Sequence, residues 1–191
     1  MRLFIGVELD EAVGAAAADV AERLRQRLAR AEPRLRARWI APENLHITLW
    51  FIGEVPDARA EGIRDVLMRP FGTPAFPLAI ARCGAFPPSG APRVLWIGVG
   101  EGASGMRRLY GEVGERLVPL GYEPEERPYA AHLTIARIRE PVPGSSRPVR
   151  EILAALPAEC GTSYVAAVTL FRSHLSPKGA AYEPLLRVPL S

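Results

Sequence analysis

One tetrad occurs twice along the chain and constrains it more than any other feature. His46-Ile47-Thr48-Leu49 and His132-Leu133-Thr134-Ile135 each set an imidazole and a hydroxyl two residues apart inside an apolar run. In a β-strand, residues i and i+2 share a face about 7 Å apart. Each His and its Thr therefore fall on one face, with Ile47, Leu49, Leu133 and Ile135 on the other. The chain holds only three histidines and five threonines in 191 residues, too few for two such pairs to be expected by chance. A fold that uses both tetrads must bury two apolar strand faces and turn two polar faces toward an opening.

The order of elements around the tetrads repeats as well. Residues 3–9 read as a strand and residues 10–31 as a helix with Asp10 at its N-cap and Pro33 as its stop. A strand at 35–40, a turn through 41–44 and the first tetrad strand at 45–52 follow, then a helix at 57–68 and a strand at 76–83. A loop rich in breakers, 86–92, lies near mid-chain. Beyond it a strand at 93–99, a helix at 104–120 closed by Gly121, and the second tetrad strand at 129–138 run through the same plan. Phe4-Ile5-Gly6-Val7 lines up with Trp96-Ile97-Gly98-Val99. A helix at 149–156 and strands at 164–171 and 182–188 complete the chain. Strands and helices do not alternate one for one. The expected class is α+β: a bilobal, duplicated fold with two largely antiparallel sheets flanking a V-shaped cleft and helices outside. Residues 1–191 form one such domain, with halves of roughly 1–90 and 91–191 that are free to exchange strands.

Composition narrows the chemistry. Hydrophobic residues make up 48% of the chain, enough for a substantial core, and 24 basic residues face 21 acidic ones, so there is no polybasic tail. Lys178 is the only lysine, and the arginines that carry the rest of the positive charge suit phosphate. Cys83 and Cys160 lie far apart in sequence, outside metal or redox spacing, which fits a reducing, cytoplasmic setting. The first apolar run meets Glu8 and Asp10 too soon for a membrane span. No membrane partner, metal or cofactor is expected, and a monomer is.

Two imidazoles near their ordinary pKa of about 6.5 can divide acid and base roles at neutral pH, while two hydroxyls donate to phosphoryl oxygens. That constellation suits displacement at phosphorus without a metal. Glu8, Asp10 and Glu54 show no matched spacing for a carboxylate pair. Trp50 shares strand parity with His46 and Thr48, which would put an aromatic at the cleft edge for base stacking, with core packing or a lobe contact as the other reading. Arg137 has the opposite parity to His132 and needs a strand end or a bulge to turn inward. Tyr129 and Arg127 precede the second tetrad and could meet base or phosphate or sit in a solvated turn, whereas His174 lacks a Thr partner and reads as a surface or rim residue. The arginines from Arg23 to Arg38 form the most basic stretch, either a solvated helix face or a basic rim that steers nucleic acid.

The sequence resembles the bacterial and archaeal RNA 2',3'-cyclic phosphodiesterases, historically called 2'-5' RNA ligases, of the two-histidine phosphoesterase superfamily. The resemblance runs through residues 2–9, 43–49 with the first tetrad, 51–55, 92–99, Arg127-Pro128-Tyr129, 132–137 with the second tetrad, and Ser173, Leu175, Pro177, Gly179 and Tyr182. It implies tetrads on facing strands of a cleft, and hydrolysis of RNA 2',3'-cyclic phosphate ends to 2'-phosphates. In some members it also implies reversible 2'-5' joining. His46 and His132 match the two catalytic histidines, Thr48 and Thr134 the hydroxyl donors, and Arg137 an arginine that contacts phosphate or nucleotide. His46 is then expected as the acid for the leaving 3' oxygen and His132 as the base for water. RNA ends or oligonucleotides carrying a cyclic phosphate are the implied partners. Two rivals are a phosphodiesterase for a small cyclic nucleotide or 2'-5' oligonucleotide, and a non-catalytic module that binds RNA ends.

Overall fold

A computed structural model describes residues 1–176 and 179–191; Pro177 and Lys178, both named above, lie outside the described residues. In chain order the elements are β1 (Arg2–Glu8), α1 (Glu11–Ala31), β2 (Arg36–Trp39), β3 (His46–Glu54), α2 (Asp57–Leu67), β4 (Phe76–Phe86), β5 (Val94–Val99), α3 (Ala103–Leu117), β6 (His132–Glu140), α4 (Ser146–Ala155), β7 (Gly161–Val165), β8 (Ala167–Ser176) and β9 (Gly179–Pro189). The strands run β7-β4-β5-β6-β3-β1-β8-β9, with β2 pairing β6. Every pairing is antiparallel. The fold is α+β, as the sequence implies. Among the described residues no helix is long and apolar enough to cross a membrane.

The two tetrad strands meet at the centre of this order through one residue pair, Ile47 opposite Leu133. One sheet segment, β3-β1-β8-β9, and another, β7-β4-β5-β6, join at that seam. The C-terminal strands β8 and β9 continue the sheet that β1 begins, so the chain's end returns to the side of its start. α1 seats Val13, Ala17, Val20, Ala21, Leu24 and Leu28 in the core, the i, i+3, i+4 stripe of an amphipathic helix. Asp10 stands at its N-cap without capping through its side chain; Asp10 Oδ2 instead accepts the Tyr164 backbone N–H at 2.8 Å and ties α1 to β7. α3 ends at Leu117, short of the expected 120, and gives way to a 3-10 turn over Val118–Leu120 that Gly121 closes with a φ of +86°, which suits glycine.

Register corrects one detail of the repeat. Val7 pairs with Ile47 and Gly6 with Thr48, while Ile97 pairs with Leu133 and Trp96 with Thr134. The structural mate of Gly6 is therefore Trp96, two residues short of the Gly98 suggested by sequence. The shift is even, so each residue keeps its face and the sequence pattern gives no warning of it. Residues 164–171 also divide: β7 ends at Val165 and β8 begins at Ala167, two separate strands with different partners.

Candidate active site

Each tetrad strand bulges at the same place. In β3, Thr48 faces Gly6 and Trp50 faces Ile5, leaving Leu49 as the extra residue. In β6, Thr134 faces Trp96 and Ala136 faces Leu95, leaving Ile135 extra. A bulge places two residues of one strand against one of its partner and inverts the alternation beyond it. Leu49 and Trp50 are accordingly both buried, as are Ile135 and Ala136, and the next residues, Phe51 and Arg137, emerge on the tetrad face.

Two sequence expectations resolve on this feature. Arg137 has the bulge it needs, and its side chain lines the cleft with His46, Thr48 and Thr134. Trp50 does not line the cleft: the bulge turns it into the core at 5% exposure, stacked on Tyr110 at 5.1 Å and seated over Gly114. Its neighbour Phe51, 51% exposed, lines the cleft instead. Sequence reasoning missed Phe51 because strict alternation assigns it to the core. The clue was an apolar pair, Leu49-Trp50, matched by Ile135-Ala136 at the same offset from each His.

The pair Ile47–Leu133 sets His46 abreast of Thr134 and Thr48 abreast of His132. The imidazoles are thus diagonal neighbours across the seam, a relation that in a regular ladder spans roughly 7–8 Å. Both rings are anchored alike. His46 Nδ1 donates to the Asn44 carbonyl at 2.7 Å, and His132 Nδ1 donates to the Ala130 carbonyl at 2.7 Å. A carbonyl only accepts, so Nδ1 carries the proton in the neutral ring and Nε2 is left as the basic nitrogen. At His46, Nε2 accepts from the Thr48 hydroxyl at 3.0 Å.

Burial pushes the pKa of both imidazoles below the usual histidine value. For His46 the Asn44 carbonyl opposes that shift, and the positive charges of Arg137 and His132 add to it. For His132 the Ala130 carbonyl and Glu125 oppose, and Arg137 adds. His46 is packed against Phe4 at 4.7 Å and, edge-on, against Tyr182 at 5.1 Å. His132 meets Phe86 edge-on at 4.9 Å. A cavity of about 970 Å³ opens over His46, Thr48, Thr134 and Arg137. His132 is not one of its walls.

Tyr129 is largely buried, not in a solvated turn. Its hydroxyl donates to the Thr48 carbonyl at 3.0 Å and its ring stacks on Tyr110 at 4.5 Å, so it ties the approach to the second tetrad onto the first. Burial raises its pKa well above the usual phenol value. Arg127 is exposed and lies off the cavity wall. His174 pairs with Glu183 at 2.7 Å, exposed on β8. Of the basic stretch, Arg38 reaches the cleft, while Arg25 is engaged on the surface of α1 by Glu22 at 2.7 Å. Cys83 and Cys160 are free, and burial pushes Cys83 up to about 12 and Cys160 to about 11. Among the described residues no three His, Cys, Asp or Glu side chains group as a metal site would require.

The family described as LigT like Phosphoesterase matches this chain twice, over residues 13–96 and 97–182. An RNA 2',3'-cyclic phosphodiesterase of Archaeoglobus fulgidus is 34% identical over 97% of this chain and 98% of its own length. The crystal structure of TT0787 of Thermus thermophilus superposes with a TM-score of 0.75 at 26% identity, covering 100% of this chain and 98% of that one. Escherichia coli LigT complexed with 3'-AMP superposes with a TM-score of 0.73 at 25% identity, over 100% and 98% of the two chains.

Proposed function

The chain belongs to the family of LigT-like phosphoesterases, and on that premise we propose that it opens RNA 2',3'-cyclic phosphate ends to 2'-phosphates by metal-independent acid–base catalysis between His46 and His132. Water attacks phosphorus as His132 Nε2 takes its proton. The bond from phosphorus to O3' breaks, and O3' receives the proton held on His46 Nε2. The more open imidazole thus serves the nucleophile that arrives from solvent, and the enclosed one serves the leaving group. Thr48, Thr134 and Arg137 donate to the non-bridging oxygens, whose charge rises toward the transition state. Phe51 offers a face to the terminal base. With an RNA 5'-hydroxyl in place of water, the same displacement forms a 2'-5' phosphodiester and again releases O3', which accounts for reversible joining.

One observation supports this reading above the rest. The two imidazoles are anchored identically through Nδ1, on strands bridged by one residue pair, so both basic nitrogens are fixed on one face. Burial and the Arg137 charge disfavour the protonated rings before substrate binds, and an arriving phosphate anion favours protonation of one of them. The test is an oligonucleotide ending in a 2',3'-cyclic phosphate, incubated in EDTA, with the position of the product phosphate followed by NMR or chromatography. Exclusive 2'-phosphate is expected, and His46→Ala or His132→Ala should each slow the reaction at least about a hundredfold with unchanged circular dichroism. Near-wild-type rates in both variants, or turnover only with added divalent metal, would refute the proposal.

A further inference from the structure

The cleft is electrically polarised along β1. Arg2, Phe4, Gly6 and Glu8 share the tetrad face of that strand, so its basic and acidic ends stand about 20 Å apart with His46 packed on Phe4 between them. The 970 Å³ cavity holds Arg2, Arg38, Arg137 and Arg139 with Glu43 as its one acid. A neighbouring cavity of about 430 Å³ shares His46, Asn44 and Tyr182 with the first and is lined by Glu8, Asp10, Glu11 and Glu43, of which Glu8 is paired with Arg187 at 3.5 Å. A polyanion extending from His46 is therefore favoured toward the arginine end.

The basic arm is uncompensated. Among the described residues the arginine ion pairs involve Arg25, Arg116, Arg147 and Arg187, and none involves the four cleft arginines. Arg38 stands directly opposite Arg137 across the β2–β6 ladder, a like-charge pair that costs stability when nothing lies between. Arg139 follows two residues on from Arg137, with buried Ile138 between them. From β2, the Arg38 guanidinium reaches across the cleft to within 3.7 Å of the Cβ position at Gly179, where β9 begins. Arg137 serves the reacting phosphate in the mechanism above, which leaves Arg2 on β1, Arg38 on β2 and Arg139 on β6 as further guanidinium groups lining the same cavity.

We propose that Arg2, Arg38 and Arg139 form a second phosphate subsite, which takes the internucleotide phosphate just upstream of the cyclic end. The inference rests on the cyclic-phosphodiesterase reading and adds a preference within it: an oligonucleotide end fills both subsites, whereas a cyclic mononucleotide fills one. The advantage of the oligonucleotide is electrostatic and declines with salt, by a slope of about 0.7 per phosphate neutralised on a single strand.

Two measurements on the full chain test it. The first compares kcat/KM for a 2',3'-cyclic mononucleotide and for a pentanucleotide with the same 3' end, in the wild type and in the Arg38→Ala/Arg139→Ala double variant. The second follows binding of the 2'-phosphate products of both substrates by fluorescence anisotropy, at several salt concentrations. The wild type should favour the pentanucleotide at least tenfold. The double variant should lose most of that ratio and flatten the salt slope by about 0.7, and Arg38→Lys/Arg139→Lys should restore the slope. Equal use of the two substrates by the wild type, or an equal loss on both in the variant, would overturn the subsite. A wild type that turns over neither substrate, yet binds the pentanucleotide more tightly in an arginine-dependent way, would refute the catalytic reading and leave the subsite standing.

Discussion

Gly6→Ala probes how the strand scaffold holds His46. A Cβ on Gly6 would lie 2.8 Å from the Ile47 carbonyl oxygen and 3.3 Å from His46 Cδ2. Ordinary contact begins near 3.4 Å, so about 0.6 Å must be made up against a backbone atom that cannot swing aside. Ile47 is the residue that bridges to Leu133, so β3 can yield only by moving at the seam between the two tetrads. Overpacking of this kind costs roughly 1–3 kcal/mol, or several degrees in Tm for a chain of this length. If a 1 Å misplacement costs about a hundredfold in rate, 0.6 Å at His46 corresponds to a loss on the order of tenfold in kcat. Thermal unfolding by circular dichroism and steady-state kinetics on a cyclic-phosphate end supply the two readouts. Gly111→Ala is the control: nothing lies within 4 Å of its Cβ position in α3, and the helix should gain about 0.5–1 kcal/mol with no change in kcat. A Gly6→Ala protein with wild-type Tm would refute the packing argument. One that is less stable but turns over within twofold of wild type would refute the link from β1 to the imidazole.

The pH profiles should separate the free and bound states. Burial lowers both histidine pKa values in the free protein, so the limbs of kcat/KM should lie on the acid side of 6.5, whereas a bound phosphate anion lifts both groups and moves the kcat profile toward higher pH; coincident optima would count against it. Arg116→Ala should cost about 2–4 kcal/mol in denaturant unfolding while leaving kcat unaltered, because its guanidinium caps the end of α2 through the carbonyls of Leu67 at 3.0 Å, Arg69 at 2.8 Å and Pro70 at 2.8 Å, and lies over the Phe71 ring at 3.7 Å. Although burial pushes the Glu112 carboxyl up, hydrogen bonds from Thr73 and Gly72 hold it below the usual glutamate value. Its stabilising contribution is present above the unfolded pKa and declines as pH falls through the lower folded value, so the unfolding free energy of Glu112→Gln should depend less on pH below about 4.5 than that of the wild type.

The sequence was legible wherever alternation held. Period-two patterning placed His46 with Thr48 and His132 with Thr134 on one face, and breaker residues set the main boundaries, including Gly121 after α3. It failed at the bulges, because Leu49 and Ile135 are extra residues only relative to β1 and β5, strands remote from them in the chain. Nothing local to either tetrad records that pairing, which is why parity sent Trp50 to the cleft and Phe51 to the core when the fold does the reverse. Tyr129 was misread for a related reason. Its partner, the Thr48 carbonyl, lies on the opposite side of the seam, so the segment looks like a polar turn until both tetrads are in place.

Duplication explains why there are two imidazoles, and its breakdown explains why the cleft has a direction. The bulges make Phe51 and Arg137 structural mates, so one half presents an aromatic face where the other presents a cation. Glu8 pairs with His46 where Gly98 pairs with His132, and Gly6 faces Thr48 where Trp96 faces Thr134. Each exchange falls on the tetrad face, while the apolar residues at the seam, Ile47 and Leu133, stay equivalent and fully buried. A symmetric site would offer a phosphodiester two identical approaches and no preferred assignment of acid and base. Substituting only the outward mates leaves the shared core packing intact and gives the two histidines different neighbours, so a duplicated scaffold can hold one group near a leaving oxygen and the other near an incoming nucleophile.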